Sequence, residues 1–257
     1  MNRQALLAAL RDLPAQRRII TALDVPAHTE AMELAGRLGP EGGFVKVGLE
    51  LFSAAGPRVV QDLLGLGRDI FLDLKYNDIP NTVASAARMA AGMGASLCTM
   101  HANAGRGAMT AAAEALAQAP LGPSGRRPAL LAVTVLTSLS QAEMNEVRPS
   151  DDSLQDSVER LAKLAWDCGC DGVVCAAADL PRLRQVIGPE PLTVTPGIRP
   201  AGSATDDQHR VTTPAMAVEW GADFLVIGRP ITKADDPEAA INAIAAEIAA
   251  STRQSGG

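Results

Sequence analysis

Along this chain, short runs of β-branched and other apolar residues alternate with longer stretches in which Ala and Leu recur at helical spacing. A period of two marks a strand and a period near 3.6 marks a helix, so the alternation predicts repeated βα units. The strands predicted are RIITALDV (18–25), GFVKVGLE (43–50), DIFLDLKY (69–76), SLCTMHAN (96–103), ALLAVTVLT (129–137), DGVVCAAA (171–178), PLTVTPGI (191–198) and DFLVIGRP (223–230). Between them, HTEAMELAGRL, PNTVASAARMAAGMG, AMTAAAEALAQA and SVERLAKLAWDCG read as amphipathic helices. Eight such units close a parallel barrel, and the expected fold is α/β, a TIM (β/α)8 barrel. An open doubly wound sheet shares this local grammar but places a glycine-rich phosphate turn after its first strand. Here that turn reads ALDVPAHTE.

The alternation runs to the end of the chain with no linker, so residues 1–257 are expected to form one barrel domain. ALLAAL (5–10), bracketed by Arg3, Arg11 and Asp12, is too short to span a membrane and is expected to be a short N-terminal covering helix. Hydrophobic residues make up 47% of the chain and aromatics 3%, which leaves the core to Ala, Val, Leu and Ile. A net charge of −6 with no basic run excludes broad binding to nucleic acid or an anionic membrane, though not a local anion pocket. Cys98, Cys168, Cys170 and Cys175 lack the paired CxxC spacing of a structural zinc site and read as reduced thiols. With nothing resembling a targeting segment, a cytoplasmic protein is expected.

In such barrels chemistry sits at the C-terminal ends of the strands. Charged and polar residues collect there: Asp24 after strand one, Lys46 in strand two, Asp73 and Lys75 in strand three, Thr137 after strand five, Arg199 after strand seven and Arg229 after strand eight. Any one of them could be a rim ion pair or a helix cap. Together they suggest a site. In FLDLKYNDIPNT (71–82), period two puts Asp73 and Lys75 on one face, away from Leu72 and Leu74. Asp78 follows where a helix opens through Ile79 and Pro80; it could serve as that helix's N-cap. Flanking carboxylates favour the charged form of Lys75, which makes it an ammonium donor rather than a Schiff-base nucleophile.

TPGIRP (195–200) and VIGRPI (226–231) each place a glycine and an arginine just beyond strands seven and eight, where barrels hold phosphate on backbone N–H groups. Arg229 could add a bidentate clamp. The long polar loop PAGSATDDQHRVTT reads as a lid, with Gln208, and His209 or Arg210, reaching inward.

These residues resemble those of the orotidine 5′-phosphate decarboxylase family, whose members convert orotidine monophosphate to UMP and carbon dioxide. The resemblance covers nearly the whole chain through ALDV (22–25), VKVGLELF (45–52), DLKYNDIPNT (73–82), LTS (136–138), TPGIRP (195–200), DDQHR (206–210) and IGRPI (227–231). It implies that Lys75 donates the proton to pyrimidine C6 and that Asp73 lies against the substrate carboxylate. Asp24 and Lys46 would contact the ribose and knit the charges together. Asp78 and Thr82 would enter the neighbouring site of a homodimer, and Thr137 would read the pyrimidine edge. Gln208, Gly228 and Arg229 would hold the phosphate, with Arg199 beside them. Neither metal nor cofactor is implied. Tyr76-Asn77 and MHANAG (100–105) depart from the bacterial pattern without touching a matched charge.

A related alternative is a magnesium-dependent 3-keto-L-gulonate-6-phosphate decarboxylase or a hexulose-phosphate synthase. Those relatives place an acidic metal ligand on strand two, where this chain has Lys46, a cation that would repel the ion. A catalytically silent nucleotide-binding barrel would be expected to have lost Lys75 or one of its aspartates. His28, His101 and His209 have no positioned nucleophile beside them in sequence and are expected to be surface or hydrogen-bonded rim residues.

Overall fold

Each of the eight predicted runs contains one strand, and the strands pair in chain order. The computed structural model describes residues 1–200 and 212–254. The strands are β1 (Ile19–Ala22), β2 (Phe44–Gly48), β3 (Asp69–Tyr76), β4 (Leu97–His101), β5 (Ala129–Val133), β6 (Gly172–Val174), β7 (Leu192–Thr195) and β8 (Phe224–Ile227). They form a closed parallel barrel, completed where Ile19, Ile20 and Thr21 lie beside Leu225, Val226 and Ile227. The expected TIM barrel is therefore the fold.

Most strands are shorter than their apolar runs suggest. β5 stops at Val133, not at residue 137, because the chain leaves the ladder after Thr134, whose N–H and hydroxyl both reach the Val174 carbonyl. Apolar character continues past that point since the outgoing loop still packs Val135 against the core.

Period two divides the strand residues between two apolar layers. Ile20, Ala22, Phe44, Phe71, Leu97, Leu131, Val194 and Phe224 face inward and cluster with Leu6, Leu7 and Leu10. The alternate positions, among them Ile19, Val45, Val47, Ile70, Leu72 and Cys98, pack outward against the helices. Three of the chain's four phenylalanines thus fill the barrel, and Phe44 meets Phe224 edge to face at 5.5 Å. The leucines belong to the helix Arg3–Arg11, capped by Asn2, whose side chain accepts from the Ala5 N–H. Its leucines pack against the inward strand residues at the barrel floor. Each buried leucine contributes about 1.5–3 kcal/mol of apolar burial, so removing this helix would expose the interior.

Outer helices include His28–Gly36, Pro80–Gly92, Gly105–Ala117 and Leu154–Asp167, at the predicted places. Among the described residues, no helix is long and apolar enough to cross a membrane. The same alternation puts Lys46, Asp73, Thr99 and His101 on inward positions, two or four steps beyond Phe44, Phe71 and Leu97. Polar groups take over the inner face as the strands approach the barrel mouth.

Candidate active site

The end of β3 is not regular. Between Leu72, which faces Cys98, and Tyr76, which faces Met100, β3 advances four residues while β4 advances two. The surplus bulges outward, and Lys75 takes a φ of +50°, the left-handed region that few residues other than glycine enter. Among the described residues Lys75 is the sole non-glycine there. Such backbone strain persists where surrounding contacts hold it. Here the contact is Thr99: its hydroxyl oxygen accepts the Lys75 N–H at 2.9 Å, and the same hydroxyl donates to Asp73 Oδ1 at 2.9 Å. The other oxygen of Asp73 accepts from Lys75 Nζ at 2.7 Å. Asp73 is buried and the lysine side chain is 28% exposed, so the ammonium looks out from a carboxylate that cannot move.

A second ion pair lies alongside. Lys46 Nζ donates to Asp24 Oδ1 at 2.5 Å, linking β2 to the loop after β1. Between the two pairs stands Gly48, whose register partner is Asp73. A Cβ on Gly48 would sit 2.9 Å from Lys46 Nζ and 3.3 Å from Asp24 Oδ1. The glycine leaves the space that the charges occupy.

His101, at the end of β4, is half-buried beside these groups. Burial first, and the Lys75 cation second, hold its pKa below the ordinary histidine value, against a smaller opposing pull from Asp73. His101 thus stands at the barrel rim as expected, and His28 lies 2.8 Å from Asp62.

Across the mouth, Gly228 precedes the short helix Arg229–Thr232, and its carbonyl accepts from the N–H groups of Ile231 and Thr232. Asp24, Gly228 and Arg229 line one cleft of about 430 Å³, together with Glu30, Glu33 and Arg37. Arg199 is buried just after β7; its N–H donates to the Thr212 carbonyl, so both ends of the segment between them meet at the rim. Gln208, His209 and Arg210 lie outside the described residues.

Three expected residues are not brought to the ion pairs by any contact among the described residues. Thr137 is exposed in the loop after β5, and Asp78 and Thr82 are exposed at the opening of the helix Pro80–Gly92. Asp78 is not the N-cap of that helix: Ile79 holds that position without a side-chain cap, and the Asp78 carboxylate accepts from the adjacent Ile79 N–H at 2.6 Å. Pro80 suits the first helical position, where its missing N–H would have had no intrahelical partner. Sequence reading also missed Thr99 and Gly48. The signal for Thr99 was a hydroxyl at an inward position of β4; Gly48 carried none, because its purpose is set by where the Lys46 and Asp24 side chains come to lie.

The arrangement offers two carboxylate–ammonium pairs at the barrel mouth, an imidazole nearby, and a separate arginine-bearing rim. Residues 17–244 match the family described as Orotidine 5′-phosphate decarboxylase / HUMPS family. The chain is 49% identical over 231 residues to the orotidine 5′-phosphate decarboxylase of Nitrosospira multiformis, covering 90% of this chain and 93% of that one. To the corresponding protein of Laribacter hongkongensis it is 50% identical, covering 90% and 93%. Among solved structures, the orotidine 5′-phosphate decarboxylase from Lactobacillus acidophilus superposes with a TM-score of 0.81 at 41% identity, over 90% of this chain and 99% of that one. Many barrels share the fold, but likeness this close, spanning every strand that carries a charge at the mouth, places the chain in the orotidine 5′-phosphate decarboxylase / HUMPS family.

Proposed function

We infer that the protein is an orotidine 5′-phosphate decarboxylase, a carboxy-lyase that releases carbon dioxide from orotidine 5′-phosphate and leaves UMP, in pyrimidine biosynthesis. The observation that carries this reading is the Asp73–Lys75 pair, held at 2.7 Å on the bulged end of β3 with Thr99 on its inner side. The substrate carboxylate on pyrimidine C6 lies against Asp73, whose like charge disfavours the bound ground state. The C6–carboxylate bond breaks, its electron pair stays on C6, and the Lys75 ammonium both faces that carbanion and delivers the proton that becomes the C6 hydrogen. Water then reprotonates the amine.

One ammonium about 4 Å from the developing charge contributes on the order of 4 kcal/mol at an effective dielectric near 20. The slowest uncatalysed reactions need roughly 20 kcal/mol or more of barrier reduction. The rest must come from charges already in place before substrate binds and from binding energy of the ribose and phosphate. Asp24 and Lys46 take the ribose, Gly228, Arg229 and Gln208 the phosphate with Arg199 beside them, and Thr137 the pyrimidine edge. The positions of Asp24, Gly228 and Arg229 on one cleft at the barrel mouth support this division.

Asp78 and Thr82 complete the site of a second subunit in a homodimer. In support, both side chains are exposed, and Ile79 and Met89 on the same segment are 66% and 63% exposed. Thr82 and Met89, seven residues apart, share one helical face. The reduced, buried cysteines agree with a cytoplasmic enzyme.

The test is the fall in orotidine 5′-phosphate absorbance catalysed by purified protein in excess chelator. Turnover with UMP as product is the expected result. Activity that vanished in chelator and returned with magnesium would refute the metal-free reading, and no turnover of orotidine 5′-phosphate in either condition would sink the assigned activity.

A further inference from the structure

On the barrel floor, opposite Asp73 and Lys75, three aspartates stand at the starts of strands, and each is met by two arginines. Asp171, just before β6, accepts from both terminal nitrogens of Arg127 at 2.8 Å, with Arg3 3.9 Å away. Asp223, just before β8, is 2.9 Å from both Arg11 and Arg184. Asp69, the first residue of β3, is different. Arg17 at 2.5 Å and the Ser96 hydroxyl at 2.9 Å satisfy its two oxygens, and Arg126 stands off at 3.6 Å.

Arg126 is thereby left over. Its side chain is 15% exposed, its Nε is buried without a partner, and among the described residues the long pair to Asp69 is its side chain's sole polar contact. A third guanidinium is close by: Arg68 donates to the carbonyls of Ala35, Gly39 and Gly42 and forms no ion pair within 4 Å. Burial, and then the neighbouring Arg17, hold its pKa below the ordinary arginine value, with the Glu238 carboxylate opposing them. At the third cluster, Arg17, Arg68, Arg126 and Asp69 line an open cleft of about 500 Å³. Three cations face one anion there. Leu13, Leu64 and Pro123 give the cleft an apolar wall, and Ser96 and Ser124 add hydroxyls.

We propose that this floor cleft is a second ligand site, for a dianionic phosphate group carried on a small organic body, with Arg126 and Arg17 as its clamp. Guanidinium groups in pairs are suited to phosphate because their donors match its oxygens. A cleft of this size falls in the range of small-molecule pockets, roughly 300–1,000 Å³, which a bare phosphate would leave mostly to water. Its roof is the start of β3, the strand whose other end carries Asp73 and Lys75.

The experiment is calorimetric titration of the full chain with inorganic phosphate and with glycerol 3-phosphate at fixed ionic strength, in an Arg229→Ala background that disables the phosphate contact at the mouth. Binding should persist in that background and weaken at least about tenfold on adding Arg126→Gln, the loss expected for one charge-assisted hydrogen bond. Ser124→Asp, which leaves the arginines in place, should abolish binding by repulsion and guards against a folding defect in the first variant. Glycerol 3-phosphate should bind more tightly than inorganic phosphate. Equal binding of the two would refute the organic body. Binding unchanged by both floor variants, or already absent in Arg229→Ala alone, would overturn the site.

Discussion

Thr99 and Asp73 are joined by a 2.9 Å hydrogen bond from a hydroxyl with no exposed surface to a carboxylate that is 8% exposed. Because the same hydroxyl oxygen accepts the Lys75 N–H, one side chain on β4 fixes both the carboxylate and the strained backbone of its ammonium partner. Thr99→Val keeps the shape and deletes both bonds. Leaving such partners unsatisfied costs about 1–3 kcal/mol, so kcat should fall roughly ten- to a hundredfold. Thr99→Ser should restore most of it. A valine variant with wild-type kcat would mean that Asp73 and Lys75 hold their geometry unaided.

Gly48→Ala tests the space beside Lys46. The backbone there, at φ −95°, accepts alanine without strain, and the new methyl would press on Lys46 Nζ, the movable end of a side chain. Stability should therefore hardly change, with the thermal midpoint within about 3 °C of wild type. Activity should drop about ten- to a hundredfold from the displaced charge. A large loss of stability with normal activity per folded molecule would assign Gly48 to packing instead.

Lys75→Ala should leave less than about a tenth of wild-type activity, since a group that loses under roughly 1.4 kcal/mol of transition-state stabilisation is not the proton donor. Mixed with Asp78→Ala chains under subunit exchange, it should regain about a quarter of wild-type activity, because half the dimers are hybrids and each has one intact site. If exchange is demonstrated by mass and no activity returns, Asp78 does not act across an interface.

Arg229→Ala should lower kcat/KM for orotidine 5′-phosphate by two to four powers of ten, about 3–5 kcal/mol, the usual cost of losing one partner of a desolvated charge pair. Orotidine without its phosphate should hardly notice the change, and added guanidinium should restore part of the loss with the full substrate. Equal losses on both substrates would remove Arg229 from the phosphate.

His101 makes the fold sensitive to acid. Its folded pKa lies below the unfolded value, so between the two the unfolded chain binds more protons and stability rises with pH. The stability it confers is present above about pH 6.5, the ordinary histidine value, and is lost as pH falls through it. The drop in thermal midpoint from pH 7 to pH 5 should be smaller in His101→Gln than in wild type. An identical drop in both would show that other groups govern the acid limb.

What the order of residues determined by itself was the repeat and its contents. Eight apolar runs alternating with helical stretches specify a parallel barrel because each local period dictates which face of an element is apolar, and burying those faces together leaves few topologies. The same local rule put Asp73 and Lys75 on one face near the end of strand three, so the charged site was visible before any contact was known. Tertiary structure decided the rest. A capping role for Asp78 stayed open until Ile79 took that position, and Thr99 and Gly48 gained their purposes only from register, which set a hydroxyl opposite a bulge and an empty Cβ position beside an ion pair. Register and bulges follow from how neighbouring strands shear to close the ring. That is a property of all eight strands at once, and no window of sequence along one strand contains it.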